Sequence, residues 1–383
     1  MKIVHICLSG PMTDGWNYQE NLLTKYHRLS GHDVAVLASQ QVWGDDGKLK
    51  TDNRRSYVYD GLTMYRLRAK RGVLSSRMQR YEGVYDILQK IRPDVLFIHG
   101  CQFLDIHSIA RYCKKHPQVT VYVDNHADFS NSATNWVSKN ILHKLLWRRC
   151  AKKIQPYTTK FYGVLPARVE FLKEMYHLPA DKCELLVMGA DDELVEAAAK
   201  PEVRSRIRER YGIAEDDFLV MTGGKIDAFK TQTLLLMEAV KNIDDPRVKL
   251  IVFGSVTPEL KDKVEALADG SKVQYIGWVQ AKDSYEYFAA ADLVVFPGRH
   301  SVFWEQVAAQ GIPMLVKYWN GTTHVDLGGN VELLKQDTAE EIQTVIERLL
   351  ADLQQYAEMK RIAVEEGMKT FSYRDIAKRS IAI

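Results

Sequence analysis

Short apolar runs alternate with segments of helical spacing along the whole chain. Ile3–Leu8, Asp33–Ala38, Thr63–Leu67, Asp94–His99 and Val119–Val123 have strand length and are bounded by Gly, Pro or polar residues. Between them lie a helix with Leu22, Leu23 and Tyr26 on one face, one ending at Arg92-Pro93, and one from His107 to Lys115. The alternation repeats as far as Val187. A second series begins with a polar helix, Glu202–Tyr211, and the strand Phe218–Thr222, followed by a helix carrying Leu234 to Ala239. Strands Val248–Phe253, Val273–Ile276 and Leu293–Phe296 come next, and a polar loop from Lys317 to Asn330. The helical segments Ala339–Leu353 and Gln355–Gly367 and the tail Tyr373–Ile383 complete the chain. Parallel strands need crossover helices, so this order predicts an α/β fold with two doubly wound domains. The expected division is 1–188 and 189–370, with a tail, 371–383.

One stretch carries more chemistry than the rest: Ala291 to Val316, ADLVVFPGRHSVFWEQVAAQGIPMLV. The run Leu293–Phe296 ends at Pro297-Gly298, helical spacing runs from Ser301 to Gln310, and Gly311-Ile312-Pro313 stops it. This strand, turn and helix place Ser301, Val302 and Phe303 in the first helical turn. Their backbone N–H groups would form an anion pocket. Glu305, about a turn further in, would accept hydrogen bonds from hydroxyls attached to the anion. Phosphate beside a ribose diol has that arrangement.

Composition excludes several classes. With 383 residues, 46% hydrophobic and 26% charged, the chain suits a globular protein with two cores, neither disordered nor fibrous. The opening MKIVHICLSGPM is too short for a spanning helix and lacks a cleavage pattern, so cytoplasmic is the expectation. Five scattered cysteines without a Cys-x-x-Cys pair indicate neither a disulfide framework nor a zinc site. The net charge of +3 hides an asymmetry: Met1–Leu185 has 28 Lys and Arg against 17 Asp and Glu, the remainder 24 against 32. A basic first half is attracted to anionic surfaces, and without a nucleic-acid-binding motif the better partner is membrane or lipid phosphate. From Arg66 to Gly83, the cations Arg66, Arg68, Lys70, Arg71, Arg77 and Arg80 suggest a mobile loop feeding a helix. Ser138–Lys153 reads as a helix with Ile141, Leu142, Leu145 and Leu146 on its apolar side. It fits an interfacial helix with Trp147 at the boundary, or an ordinary helix packed on a sheet.

These motifs together resemble retaining glycosyltransferases of the GT-B architecture, in the large family 4 that includes many bacterial cell-surface polysaccharide enzymes. Phe296-Pro297 matches that family's strand exit, and Glu305 to Pro313 matches the second half of its acid-seven-acid motif. The first glutamate is missing: Pro297 stands eight positions before Glu305. Gly223-Gly224-Lys225, then Lys230 and a Leu-rich helix, match the segment whose cations hold the donor diphosphate. Met188-Gly189-Ala190-Asp191 resembles the hinge.

The resemblance implies two facing Rossmann-like domains with an interdomain cleft, the donor nucleotide mostly on the second domain, the acceptor on the first, and a last helix crossing back. It implies transfer of a hexose from a nucleoside-diphosphate sugar, a UDP-sugar in our reading, to an acceptor hydroxyl with retention, in cell-surface polysaccharide or glycolipid synthesis. Lys225, Lys230 and the helix start at Ser301 would stabilise the leaving diphosphate, and Glu305 would bind ribose. His126, in the strand-end cluster Asp124-Asn125-His126-Ala127-Asp128, would contact the sugar, its alternative being a histidine that caps backbone groups. Asp124 or Asp128 would fix its tautomer or serve as base. Gly10 and Gly15 are candidates for the glycine loop that reaches the donor. Gly224, Gly254, Gly277, Trp278 and Val279 lie at strand exits on the donor side, where Trp278 stacks on a base or belongs to the core. Gly298, Arg299 or His300 must fill the place of the absent glutamate: His300 by hydrogen bonding, Arg299 by favouring an acidic sugar. No D-x-D triplet occurs, and the lysines can do a metal's work on the phosphates, so no metal or other cofactor is expected. Two alternatives are a catalytically silent nucleotide-sugar-binding scaffold and, less favoured, a nucleotide-sugar epimerase.

Overall fold

The structure, a computed structural model, describes residues 1–44, 47–70 and 76–382. The chain divides into two compact units, Met1–Val187 with Ile376–Ile383, and Met188–Asp375. The tail therefore joins the first unit at Ile376. The residues from 371 to 375 stay with the second: Ser372 bridges Ala190 in parallel, and its hydroxyl donates to Asp192.

In the first unit the strands are β1 (Lys2–Cys7), β2 (Asp33–Ser39), β3 (Gln41–Trp43), β4 (Leu49–Thr51), β5 (Ser56–Tyr59), β6 (Leu62–Leu67), β7 (Val95–His99), β8 (Thr120–Asn125), β9 (Thr158–Gly163) and β10 (Cys183–Leu185). Eight form one sheet in the order β10-β9-β8-β7-β1-β2-β6-β5, parallel except for the edge strand β5, while β3 and β4 pair as a separate antiparallel hairpin. The second unit contributes β11 (Phe218–Gly223), β12 (Val248–Phe253), β13 (Val273–Tyr275), β14 (Leu293–Phe296), β15 (Met314–Lys317) and β16 (Val331–Leu334). Their order is β13-β12-β11-β14-β15-β16, wholly parallel. Both sheets reverse their winding once, at β1/β7 and at β11/β14. Ligands in open α/β sheets bind beyond the carboxyl ends of the strands at such a point.

Burial on both faces makes the central strands near-continuous apolar runs, as in Leu293–Phe296 and Val95–Ile98. The two faces of the first sheet nevertheless differ. Val4, Ile6, Leu96, Ile98, Val121 and Val123 enter the main apolar core. The alternate positions include His5, His99 and Asp124, all buried. Prolines at Pro166, Pro201 and Pro258 open helices, where the missing N–H costs nothing. All five cysteines are buried and free.

Two readings of the basic first half change. Arg66 is not a loop cation: it lies in β6, buried, and donates to Asp14, to Tyr57 and to the carbonyl oxygens of Met12 and Ser39. The segment after it is closed at its base by an Ala69–Tyr81 bridge and by Lys70 N–H donating to Arg80 O at 2.8 Å. Arg71 lies outside the described residues. The stretch from Ser138 to Trp147 is π-helical and continues as an α-helix, Arg148–Ile154. Trp147 is buried rather than at a boundary, while Trp136, Val137, Ile141 and Leu145 are exposed. Among the described residues no helix is long and apolar enough to cross a membrane.

Candidate functional site

In the second unit, β11 and β14 lie side by side, Val220 opposite Leu293, and their exits diverge. A pocket opens there, lined by Gly223, Gly224, Lys225 and Lys230 from the first exit and Pro297, Gly298, Arg299 and Ser301 from the second. Glycine is required on steric grounds. A Cβ on Gly223 would stand 2.2 Å from the Phe253 ring, and one on Gly254, at φ +130°, would stand 1.9 Å from the Gly224 carbonyl oxygen. The turn carrying the lysines is held by Asp227, whose carboxylate accepts from Phe229 N–H at 2.9 Å and pairs with Lys225 at 3.3 Å. Burial lowers the pKa of Lys230, and the Lys225 charge adds to this against Asp227. The Arg299 guanidinium lies 5.2 Å above the Phe229 ring. No carboxylate lines the pocket, so three cations face it and its field favours an anion.

The helix beyond starts at Phe303, so Ser301 and Val302 precede it instead of forming its first turn. Phe303 packs among rings, 5.2 Å from Phe288 and 6.1 Å from Phe253. Glu305 does not line the pocket. It is fully buried, and both His300 Nε2 and His324 Nε2 lie 2.8 Å from its Oε1. Burial pushes its carboxyl pKa up, but the two imidazoles outweigh this and hold it well below the usual range. Its Oε2 and His324 Nδ1 are buried without partners. The three side chains have the donor types of a divalent-cation site, with ligand atoms within 4.8 Å of one another. As found, two N–H donors already satisfy one carboxylate oxygen. Trp278 is exposed at the exit of β13, not part of a core, and Val279 beside it is half-buried; Gly277 accepts from Gly254 N–H at 2.7 Å.

In the first unit, His126 follows β8 and is half-exposed, its Nε2 3.5 Å from Asp124 Oδ2. Asp124 is fully buried and also holds His99 Nδ1 at 2.7 Å and the Gly100 N–H at 2.9 Å. Burial raises its pKa, but His99 and then His126 outweigh that and keep it a carboxylate. Asp128 is occupied otherwise, capping the turn at Ser130 and Asn131 and pairing with Arg168 at 3.1 Å. Of the two acids, Asp124 is the one that faces His126. Gly10 has open space where a Cβ would be, whereas Gly15, at φ +75°, would meet the Tyr59 hydroxyl at 2.7 Å.

Sequence reasoning missed His324, hidden in a polar loop, and His5, His27 and His99. A polar residue at a strand's core-facing centre, as in KIVHIC, was the available signal.

Residues 217–352 match the family model for glycosyl transferases group 1. An uncharacterized glycosyltransferase of Methanocaldococcus jannaschii is 21% identical over 223 residues, 55% of this chain and 55% of its own length. The chain thus spans about half the length of the curated relatives it matches. Among solved structures, a glycosyltransferase from Rickettsia africae superposes with TM-score 0.70 at 13% identity, over 99% of this chain and 96% of that one. Anabaena HepE in complex with UDP gives 0.68 at 16% identity, over 99% and 98%. The chain has the GT-B fold of these proteins, two Rossmann-like domains, and over 217–352 it is similar to glycosyl transferases of group 1.

Proposed function

We propose that the protein is a retaining hexosyltransferase that takes its sugar from a nucleoside diphosphate, a UDP-sugar in the first instance, and delivers it to a glycan or lipid-linked hydroxyl in surface polysaccharide or glycolipid synthesis. The observation that carries this reading is the pocket at the β11/β14 exits, where Lys225, Lys230 and Arg299 face an acid-free lining. Charge builds on the diphosphate as the glycosidic bond breaks, and preorganised cations stabilise that state more than the ground state. Exposed Trp278 is available to a base. Retention follows from the family resemblance. We assign His126 to the sugar and the His300–Glu305–His324 cluster to the space beside the pocket, where it sets the position of His300.

The three cations make a metal unnecessary for the phosphates in this reading. Peripheral membrane contact is assigned to the exposed residues Trp136, Val137, Ile141 and Leu145 with Lys139 and Lys144.

The test is a panel of nucleoside-diphosphate sugars, read by thermal shift and by slow hydrolysis to free diphosphate, with and without chelator. One donor should stabilise the protein and be hydrolysed, and Lys230→Ala should lower turnover about 100-fold or more, the usual loss on removing one transition-state donor. Stabilisation without turnover, lipid acceptors included, would favour a silent binding protein. Loss of all turnover in chelator would overturn the metal-free reading.

A further inference from the structure

Three buried imidazoles form one hydrogen-bonded chain through the first unit. His99 Nδ1 is 2.7 Å from Asp124 Oδ2, and His99 Nε2 is 2.9 Å from His5 Nδ1. His5 Nε2 is in turn 2.9 Å from His27 Nδ1. His27 Nε2 ends the chain, 2.9 Å from the Ala377 carbonyl oxygen and 3.0 Å from the Ser380 hydroxyl. His5, His27, His99, Asp124 and Ser380 are all at most 5% exposed.

Counting protons shows what the chain does. Both termini, a carboxylate and a carbonyl, only accept. Four hydrogen bonds between them need four N–H groups, and three neutral imidazoles supply three. One arrangement adds a proton: His99 is then an imidazolium against Asp124, while neutral His5 and His27 carry theirs on Nε2. The other adds none: His99, His5 and His27 each carry the proton on Nδ1, and the Ser380 hydroxyl, 2.8 Å from the Ala377 oxygen, turns to donate to His27 Nε2. One proton gained or lost therefore switches two tautomers and one hydroxyl together.

We propose that His27, His5 and His99 are a proton wire that stores a single proton against Asp124, with the Ser380 hydroxyl as its switch and His126 as the group that senses the charge left on Asp124. A proton arriving at His27 leaves from that ring's other nitrogen to His5, and from His5 to His99, each ring remaining neutral afterwards except the last. When His99 is charged, Asp124 is neutralised and His126 has no anion to favour its protonation. When the wire is empty, the Asp124 charge is offered to His126, 3.5 Å away. Burial lowers the proton affinity of His5 and His27, which leaves His99, beside the carboxylate, as the resting place.

Several other titratable groups surround the wire. Burial raises the pKa of Cys7 on β1, Tyr122 on β8 and Tyr162 on β9, so all three stay neutral. His32, whose ring lies 6.2 Å from His27, is shifted down by burial and by the amino terminus. Glu20 on the first helix and the exposed Lys378 and Arg379 on the last helix are the charged side chains nearby.

The experiment is nitrogen-15 NMR of histidine-labelled full-length protein from pH 5 to 9, which reads the tautomer and charge of each ring without reference to activity. The three buried rings should change together at one midpoint, His5 and His27 passing from Nε2–H to Nδ1–H as pH rises. Ser380→Ala removes the donor that the empty wire needs, so the shared midpoint should rise by about one pH unit. Asp124→Asn should lower the shared midpoint; if that variant does not fold, Ser380→Ala decides alone. Rings that keep one tautomer throughout, or titrate at separate midpoints, or a midpoint unmoved in Ser380→Ala, would overturn the proposal.

Discussion

Glu305 shows how a single buried carboxylate is tolerated. Taking a carboxylate out of water is costly unless it is hydrogen-bonded and paired, and two imidazoles on one oxygen meet both needs. Because its folded pKa is depressed, the cluster's contribution is present above the unfolded pKa, about 4.3, and is lost as pH falls through the folded value. Glu305→Gln should therefore cost roughly 3–5 kcal/mol in urea unfolding at pH 7. That gap should narrow progressively below pH 4. An equal gap at pH 7 and pH 3 would show that the charge plays no part. The sequence places His300 and Glu305 in one short stretch but points each toward the donor, His300 in the place of the absent glutamate and Glu305 toward ribose, and not toward each other. His324 could not be read from it at all, because a loop histidine 19 positions away has no periodicity to announce the contact.

At the scale of elements, the succession of strands and helices and the doubly wound fold class were legible because apolar runs and helical spacing alternate, and because parallel pairing needs a crossover between strands. Register was not. His99 stands directly opposite Asp124, and His5 opposite Phe97, only once β1, β7 and β8 are aligned. The boundary of the helix after β14 also escaped sequence spacing: Ser301 and Val302 continue the pattern without being helical. Strand exits fit the same logic, since their glycines serve packing as much as binding. Gly254→Ala would drive a Cβ into the Gly224 carbonyl and should destabilise by roughly 2–4 kcal/mol. Gly298→Ala meets nothing nearer than 3.4 Å and should leave unfolding unchanged while narrowing the pocket mouth. Denaturation curves of the two variants, beside their affinity for UDP, separate the roles; equal stability losses would contradict them.

On the scale of the molecule, the proposed function gives the two units different partners, and each can be tested separately. Hydrogen exchange with and without UDP should show new protection concentrated at residues 222–233 and 296–305, and protection confined to the first unit would refute the donor assignment. The basic unit is tested with vesicles. Trp136→Ser combined with Leu145→Ser should reduce co-flotation with anionic lipid roughly ten-fold or more, each apolar side chain contributing about 1.5–3 kcal/mol when buried. Neutral vesicles should bind weakly in both cases. Composition showed the charge asymmetry but not its location, because Arg66 is spent inside the fold while Trp136 and Leu145 face outward.

The first unit is also interrupted. It consists of Met1–Val187 and Ile376–Ile383, so His27 reaches Ala377 only across 350 residues of chain. A ribosome makes the whole of the second unit, continuous from Met188 to Asp375, before the segment that completes the first. The nascent first unit must wait with the end of its imidazole chain uncovered, and the second can finish folding while it does. Synthesis stopped after 375 should then yield a folded second unit attached to a first unit that lacks residues 376–383, the segment that closes the end of its imidazole chain.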